Sequence, residues 1–161
     1  MERNDTMLTA IPKHWLSWDF TVLQGSEPVA AIDVSWWREN GELTVAGSRY
    51  RVRREGLMSG AFILESAGSV LARAEKTGVF VRSFAIEHAG RHYQLRARSA
   101  FGRKFAFGDG SQVTGSISPV GLFAHRARAD LPAHLPLAVQ IFILWLAIIL
   151  WKRDADSTAA T

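Results

Sequence analysis

No cysteine occurs anywhere in the 161 residues. That absence excludes disulfide frameworks, thiolate metal sites and cysteine nucleophiles together, and it fits a reducing, cytoplasmic setting. The residues before Lys13 include Glu2 and Asp5 and contain no apolar run, so nothing there reads as a signal peptide. Histidine is sparse: His14, His88, His92, His125 and His134 form neither an HxxxH nor an HExxH spacing. His88 and His92 flank a predicted turn and read as hairpin histidines rather than metal ligands. Gly115-Ser116-Ile117 is not a nucleophile elbow, which belongs on an α/β sheet. Gly108-Asp109-Gly110 has no following helix, so it is a turn and not a phosphate cradle. Asp19 and Asp33 lie in predicted strands with nothing in the sequence to pair them. No enzymatic activity, metal or cofactor is therefore expected.

What the chain does hold is apolar residues at 48%, a net charge of +4, and arginine in large excess over lysine. This is the composition of one globular domain with some affinity for anionic partners. From Leu16 to Ala129, short runs of alternating polarity are separated by small or turn-forming pairs, which is the pattern of strands and hairpins. Eleven strands are predicted: Trp18–Leu23, 29–36, 43–45, 49–54, 61–65, 69–75, 79–88, 91–98, 104–108, 113–118 and 121–128. The predicted turns are Asn40-Gly41, Gly47-Ser48, Ala67-Gly68, Ala89-Gly90 and Asp109-Gly110, where positive φ is cheapest. One polar and one apolar face per strand implies an antiparallel sheet wetted on one side.

The texture then changes. After Pro132 and Pro136 the chain runs apolar to Trp151, interrupted only by Gln140, and this run is closed by Lys152-Arg153. Such a helix has no solvent face and needs lipid or protein on every side. At about 1.5 Å per residue, residues 135–151 span roughly 25 Å, short of the ~30 Å hydrocarbon core. Twelve strands about 4.8 Å apart, tilted about 40°, close with a radius of roughly 12 Å. That bore holds one helix and one layer of side chains. The expected fold is mainly β: an antiparallel closed barrel of about twelve strands around a buried C-terminal hydrophobic helix. In domain terms, 1–13 is an N-terminal segment, 14–153 is one barrel domain with its central helix at 135–151, and 154–161 is a disordered tail. The competing expectation is a tail-anchored, single-pass membrane protein with 135–151 spanning the bilayer.

Val113-Thr114-Gly115-Ser116-Ile117, then Gly121-Leu122-Phe123, then Arg128-Ala129-Asp130-Leu131-Pro132 lead into the helix that ends Trp151-Lys152-Arg153. In that order of elements the chain resembles the tubby C-terminal-like superfamily over roughly residues 16–153. That group includes tubby proteins, phospholipid scramblases and LURP-one-related proteins, and the size is nearest the compact LURP-one-related and bacterial members. The resemblance implies a twelve-stranded barrel around a central helix. No residues match a scramblase calcium site or palmitoylated cysteines.

Basic strand faces are the best functional lead. Arg49, Arg51, Arg53 and Arg54 form the densest cluster, and Arg96 with Arg98 and Arg126 with Arg128 add two pairs. Brought together, they would form a guanidinium surface suited to phosphate. The resemblance implies anionic phospholipid or phosphoinositide-like headgroups as ligand, bound at a membrane surface by a non-catalytic, peripheral domain. The bland reading is a solvated barrel wall charged to prevent edge pairing, on a structural scaffold with a protein partner. Nucleic acid is not expected, since only Trp36-Trp37 suggests exposed aromatics among basic residues. That pair would equally suit a membrane interface.

Overall fold

A computed structural model describes residues 6–34, 40–56, 60–78, 82–100, 102–121 and 125–160. Twelve strands form an up-and-down antiparallel meander: β1 Leu8–Pro12, β2 Phe20–Gln24, β3 Glu27–Val34, β4 Gly41–Val45, β5 Ser48–Glu55, β6 Ala61–Ser66, β7 Ser69–Lys76, β8 Ser83–His88, β9 Arg91–Ala97, β10 Phe105–Gly108, β11 Val113–Pro119 and β12 Ala127–Asp130. β1 pairs with β12 through Leu8–Ala129 and Ala10–Ala127, which closes the sheet into a barrel without free edges. The helix α1, Leu137–Ala159, runs through the bore.

The alternation within each strand sorts its side chains. In β5, Val52 faces the core and is fully buried while Arg51 faces out. Phe20, Val22, Ile32, Leu43, Leu64, Phe84, Leu95 and Phe107 line the inner wall in the same way, and all are fully buried. Every residue of α1 from Ala138 to Lys152 is buried. Gln140, the one polar interruption, donates from Nε2 to the Leu135 carbonyl at 2.9 Å and so satisfies itself within the first turn. Trp145 sits edge-to-face on Phe62, with ring centroids 5.0 Å apart. The expected fold class is what the chain adopts.

Several boundaries differ from expectation, among them the last strand, expected at 121–128 and found as β12 at Ala127–Asp130. The twelfth strand is β1, inside the stretch assigned to an N-terminal segment; Leu8 and Ala10 are buried against the helix core. The helix begins two residues later than expected and continues to Ala159, through the segment expected to be a disordered tail. There Lys152 Nζ pairs with Asp156 at 2.7 Å, Asp154 pairs with Arg82 at 2.6 Å, and Ser157 and Thr158 donate back to the carbonyls of Arg153 and Asp154. Asn40-Gly41 is not a hairpin turn. Gly41 opens β4, paired with Val34 on one side and Val52 on the other. The β4–β5 turn is Ala46-Gly47, one residue earlier than predicted, while Ala67-Gly68 and Ala89-Gly90 turn as predicted; all three alanines and glycines have positive φ. Residues 35–36 of the predicted third strand, 79–81 of the seventh and 122–124 of the eleventh lie outside the described residues, as does Trp37.

The single-pass alternative is not supported. Among the described residues no helix is long and apolar enough to cross a membrane. The apolar part of α1 is instead enclosed by the barrel wall.

Candidate functional site

The meander makes the two ends of the barrel unlike. At one end, four of the hairpins turn in two residues (25–26, 46–47, 67–68 and 89–90). At the other, here the mouth, six connections of five to seven residues join β1–β2, β3–β4, β5–β6, β7–β8, β9–β10 and β11–β12. The helix enters at the tight-turn end and leaves at the mouth, where Trp151 Nε1 donates to the Arg103 carbonyl at 3.1 Å.

The predicted arginines do not form one wall. Arg49, Arg51 and Arg53 project outward from β5, Arg96 from β9 and Arg128 from β12. Around the closed barrel, β5 and β9 are separated by β6, β7 and β8; β9 and β12 by β10 and β11; β12 and β5 by β1 to β4. The three groups therefore face different directions. Two are also occupied locally: Arg53 Nε donates to Glu65 at 3.0 Å and Arg96 donates to Gln94 at 3.2 Å, while Arg49 Nε stands 3.8 Å from Glu42, beyond hydrogen-bond range. With Arg73, which is held by Glu55 and Glu75, Arg53 belongs to an ion-paired patch spread over β5–β7. The two acidic partners hold the Arg73 guanidinium above its ordinary pKa, against a smaller opposing desolvation. This is the bland role for a strand-face arginine.

Height along the barrel regroups them. Arg98 follows β9 and Arg126 precedes β12, both exposed at the mouth. Arg54 shares the parity of buried Val52 but lies past the core, near the mouth end of β5, where it too is exposed. Lys13, Arg82, Arg103 and Lys104 come from the other described connections, and Lys152 and Arg153 from the emerging helix. Arg103 lies 4.8 Å over the Trp151 ring, and burial lowers its pKa, opposed by Asp154. Arg82 bridges the Gly102 carbonyl and Asp154, both at 2.6 Å, fastening the helix to the rim.

The same end presents apolar residues that the arginine pattern does not reveal. Trp15 is 83% and Leu16 66% exposed, at the tip of the β1–β2 connection. Their pedestal is well fixed. Lys13 N donates to the Asp19 carbonyl at 2.8 Å and Ser17 N to the His14 carbonyl at 2.9 Å. Asp19 Oδ1 accepts from Val34 N at 2.9 Å. Trp18 stacks on His125, with centroids 4.6 Å apart and 18° between planes. Burial first, and the Arg103 charge second, lower the His125 pKa, so at neutral pH the ring is uncharged against Trp18. The sequence signal for this surface is Trp15-Leu16 in a connection that begins with Lys13-His14.

His88 and His92 do not face one another. His88 pairs in register with Arg91, and its Nδ1 lies 2.7 Å from the Leu71 carbonyl. Among the described residues no group of three His, Cys, Asp or Glu side chains could hold a metal ion. Asp109, in the predicted turn, caps the backbone N–H groups of Ser111 and Gln112 at 2.9 and 3.0 Å. With the Ser111 hydroxyl as the largest cause, these bonds lower its pKa to about 2. No family model, curated protein or solved structure matches the chain.

Proposed function

We propose that this domain is a non-catalytic, peripheral module that docks mouth-first on an anionic phospholipid surface from the cytoplasmic side. The carrying observation is Trp15-Leu16, two large apolar side chains held exposed on a hydrogen-bonded pedestal at the end of the barrel that also presents Arg98, Lys104 and Arg126. An indole beside an aliphatic side chain partitions into the headgroup–acyl boundary. Basic residues around them add roughly 1 kcal/mol each near an anionic leaflet. The resemblance to tubby-like barrels supports the same ligand class. The surface assigned to the membrane is the mouth, and the Arg49–Arg53 and Arg128 wall faces take no part in it.

Vesicle co-sedimentation of the full chain tests this. Recovery should be high with phosphatidylserine-containing vesicles, low with pure phosphatidylcholine, and reduced by salt. Trp15→Ala with Leu16→Ala should weaken binding about tenfold or more, the equivalent of about 1.4 kcal/mol, and leave the fold unchanged. Equal recovery with neutral and anionic vesicles at low salt would sink the reading.

A further inference from the structure

The outer wall over β3–β6 carries a groove of about 620 Å³, lined by Asp33, Glu42, Arg49, Tyr50, Arg51 and Glu65 among others. Its size is that of a small-molecule site. Strand register orders its charges. Asp33 pairs with Glu42, Glu42 with Arg51, and Arg51 with Glu65, so one outward row reads acid, acid, base, acid across four strands.

Arg51 stands between two carboxylates, and neither is turned to it. Glu65 accepts from Arg53 at 3.0 Å, and Glu42 is drawn toward Arg49 at 3.8 Å. No ion pair or hydrogen bond to the Arg51 guanidinium is formed among the described residues. At 3.8 Å the Arg49–Glu42 contact is too long for a hydrogen bond, so both groups stay available to a ligand. The groove thus has a basic side on β5 and an acidic side on β3–β4, with Glu42 one strand or about 5 Å and Asp33 two strands or about 10 Å from Arg51 at the backbone.

We propose that this groove binds a small zwitterion: an oxyanion on Arg51 and Arg49, joined by a short carbon spacer to a primary ammonium on Glu42, beside Asp33, whose Oδ1 already accepts from Lys13 Nζ at 3.0 Å. Phosphoethanolamine has this chemistry, as a free metabolite or as a lipid headgroup. The guanidinium fork suits the oxyanion. A primary ammonium supplies the N–H donors that carboxylates accept. A quaternary ammonium has none and is instead recognised by aromatic cages, and among the described residues Tyr50 is the only aromatic one lining the groove. At its upper end the groove reaches the mouth, where Asp19 and Asn40 border it and Asp33 is paired with Lys13, but Trp15 does not line it.

Titration calorimetry and amide NMR of the full chain with phosphoethanolamine test the assignment, with inorganic phosphate, ethanolamine and phosphocholine as separate probes. Saturable binding is expected for phosphoethanolamine, at least tenfold tighter than for the other three. Arg51→Ala and Glu42→Gln should each weaken it tenfold or more, whereas Arg96→Ala, four strands away, should change nothing. Vesicles with and without phosphatidylethanolamine at constant anionic content then separate the sources. An Arg51-dependent preference for phosphatidylethanolamine assigns the headgroup; its absence, with soluble binding intact, assigns the free zwitterion. The assignment is overturned if neither form binds saturably, if phosphate alone binds as well, or if Arg51→Ala binds like the parent chain.

Discussion

Gly41 and Trp145 share one space: a Cβ on Gly41 would stand 2.6 Å from Trp145 Nε1 and 3.2 Å from the Asp33 carbonyl. The indole is fully buried, with Phe62 and Phe142 beside it, and cannot swing away. The first residue of β4 is glycine because the helix packs its largest side chain there. Gly41→Ala should therefore destabilise the domain by about 1–3 kcal/mol, the range for overpacking a dense core. Urea denaturation measures it.

The helix is the core rather than an addition to it. Deleting 137–161 removes well over 10 kcal/mol of apolar burial at about 1.5–3 kcal/mol per large side chain, more than a domain's net stability. The truncated chain should lose cooperative unfolding and aggregate, as seen by circular dichroism and size-exclusion chromatography. Removing only 154–161 should leave a folded barrel, slightly weakened by loss of the Asp154–Arg82 contact.

Ala46, Ala67 and Ala89 each occupy the left-handed region, at φ of 48°, 50° and 50°. Each precedes a glycine in a two-residue turn where both residues need positive φ, and asparagine adopts that conformation more cheaply than alanine. Ala67→Asn and Ala89→Asn should stabilise the domain, each by up to about 1 kcal/mol, read as a rise in Tm.

His125 gives the fold a pH dependence of definite sign. Its folded pKa lies below the ordinary 6.5 because of burial and Arg103. The unfolded chain therefore binds the extra proton first, and stability falls as pH drops below about 6.5 toward the folded value. Above 6.5 this contribution is constant. Denaturation at a series of pH values should show that slope in the parent chain, and His125→Phe, which keeps an aromatic ring against Trp18, should flatten it.

The inner face of the barrel was legible because alternation survives closure: Tyr50 and Val52 against the arginines of β5 fix which side is wet. β1 is poorly legible because Leu8-Thr9-Ala10-Ile11-Pro12 lacks a charged partner face and ends in proline. Parity could have found it. An antiparallel meander of eleven strands would bring its first and last strands together parallel, so closure with uniform pairing demands an even number. The functional surface was less legible. Exposure of Arg51 or Arg128 follows from alternation, but whether two strands are neighbours follows from their order around the wall, which local pattern does not encode. Arg98 and Arg126 share the mouth only because both lie at strand ends on the same side of the meander.

The position of the helix in the chain also governs how the protein is made. All twelve strands precede the segment that fills them, and closure joins Leu8 to Ala129. While the ribosome is still adding the wall, every inward phenylalanine and leucine lacks its partner. The barrel cannot settle strand by strand during synthesis, and its nascent form is a natural client for chaperones. Folding waits for the plug, and the long loop that β1 must close against β12 makes that step slow.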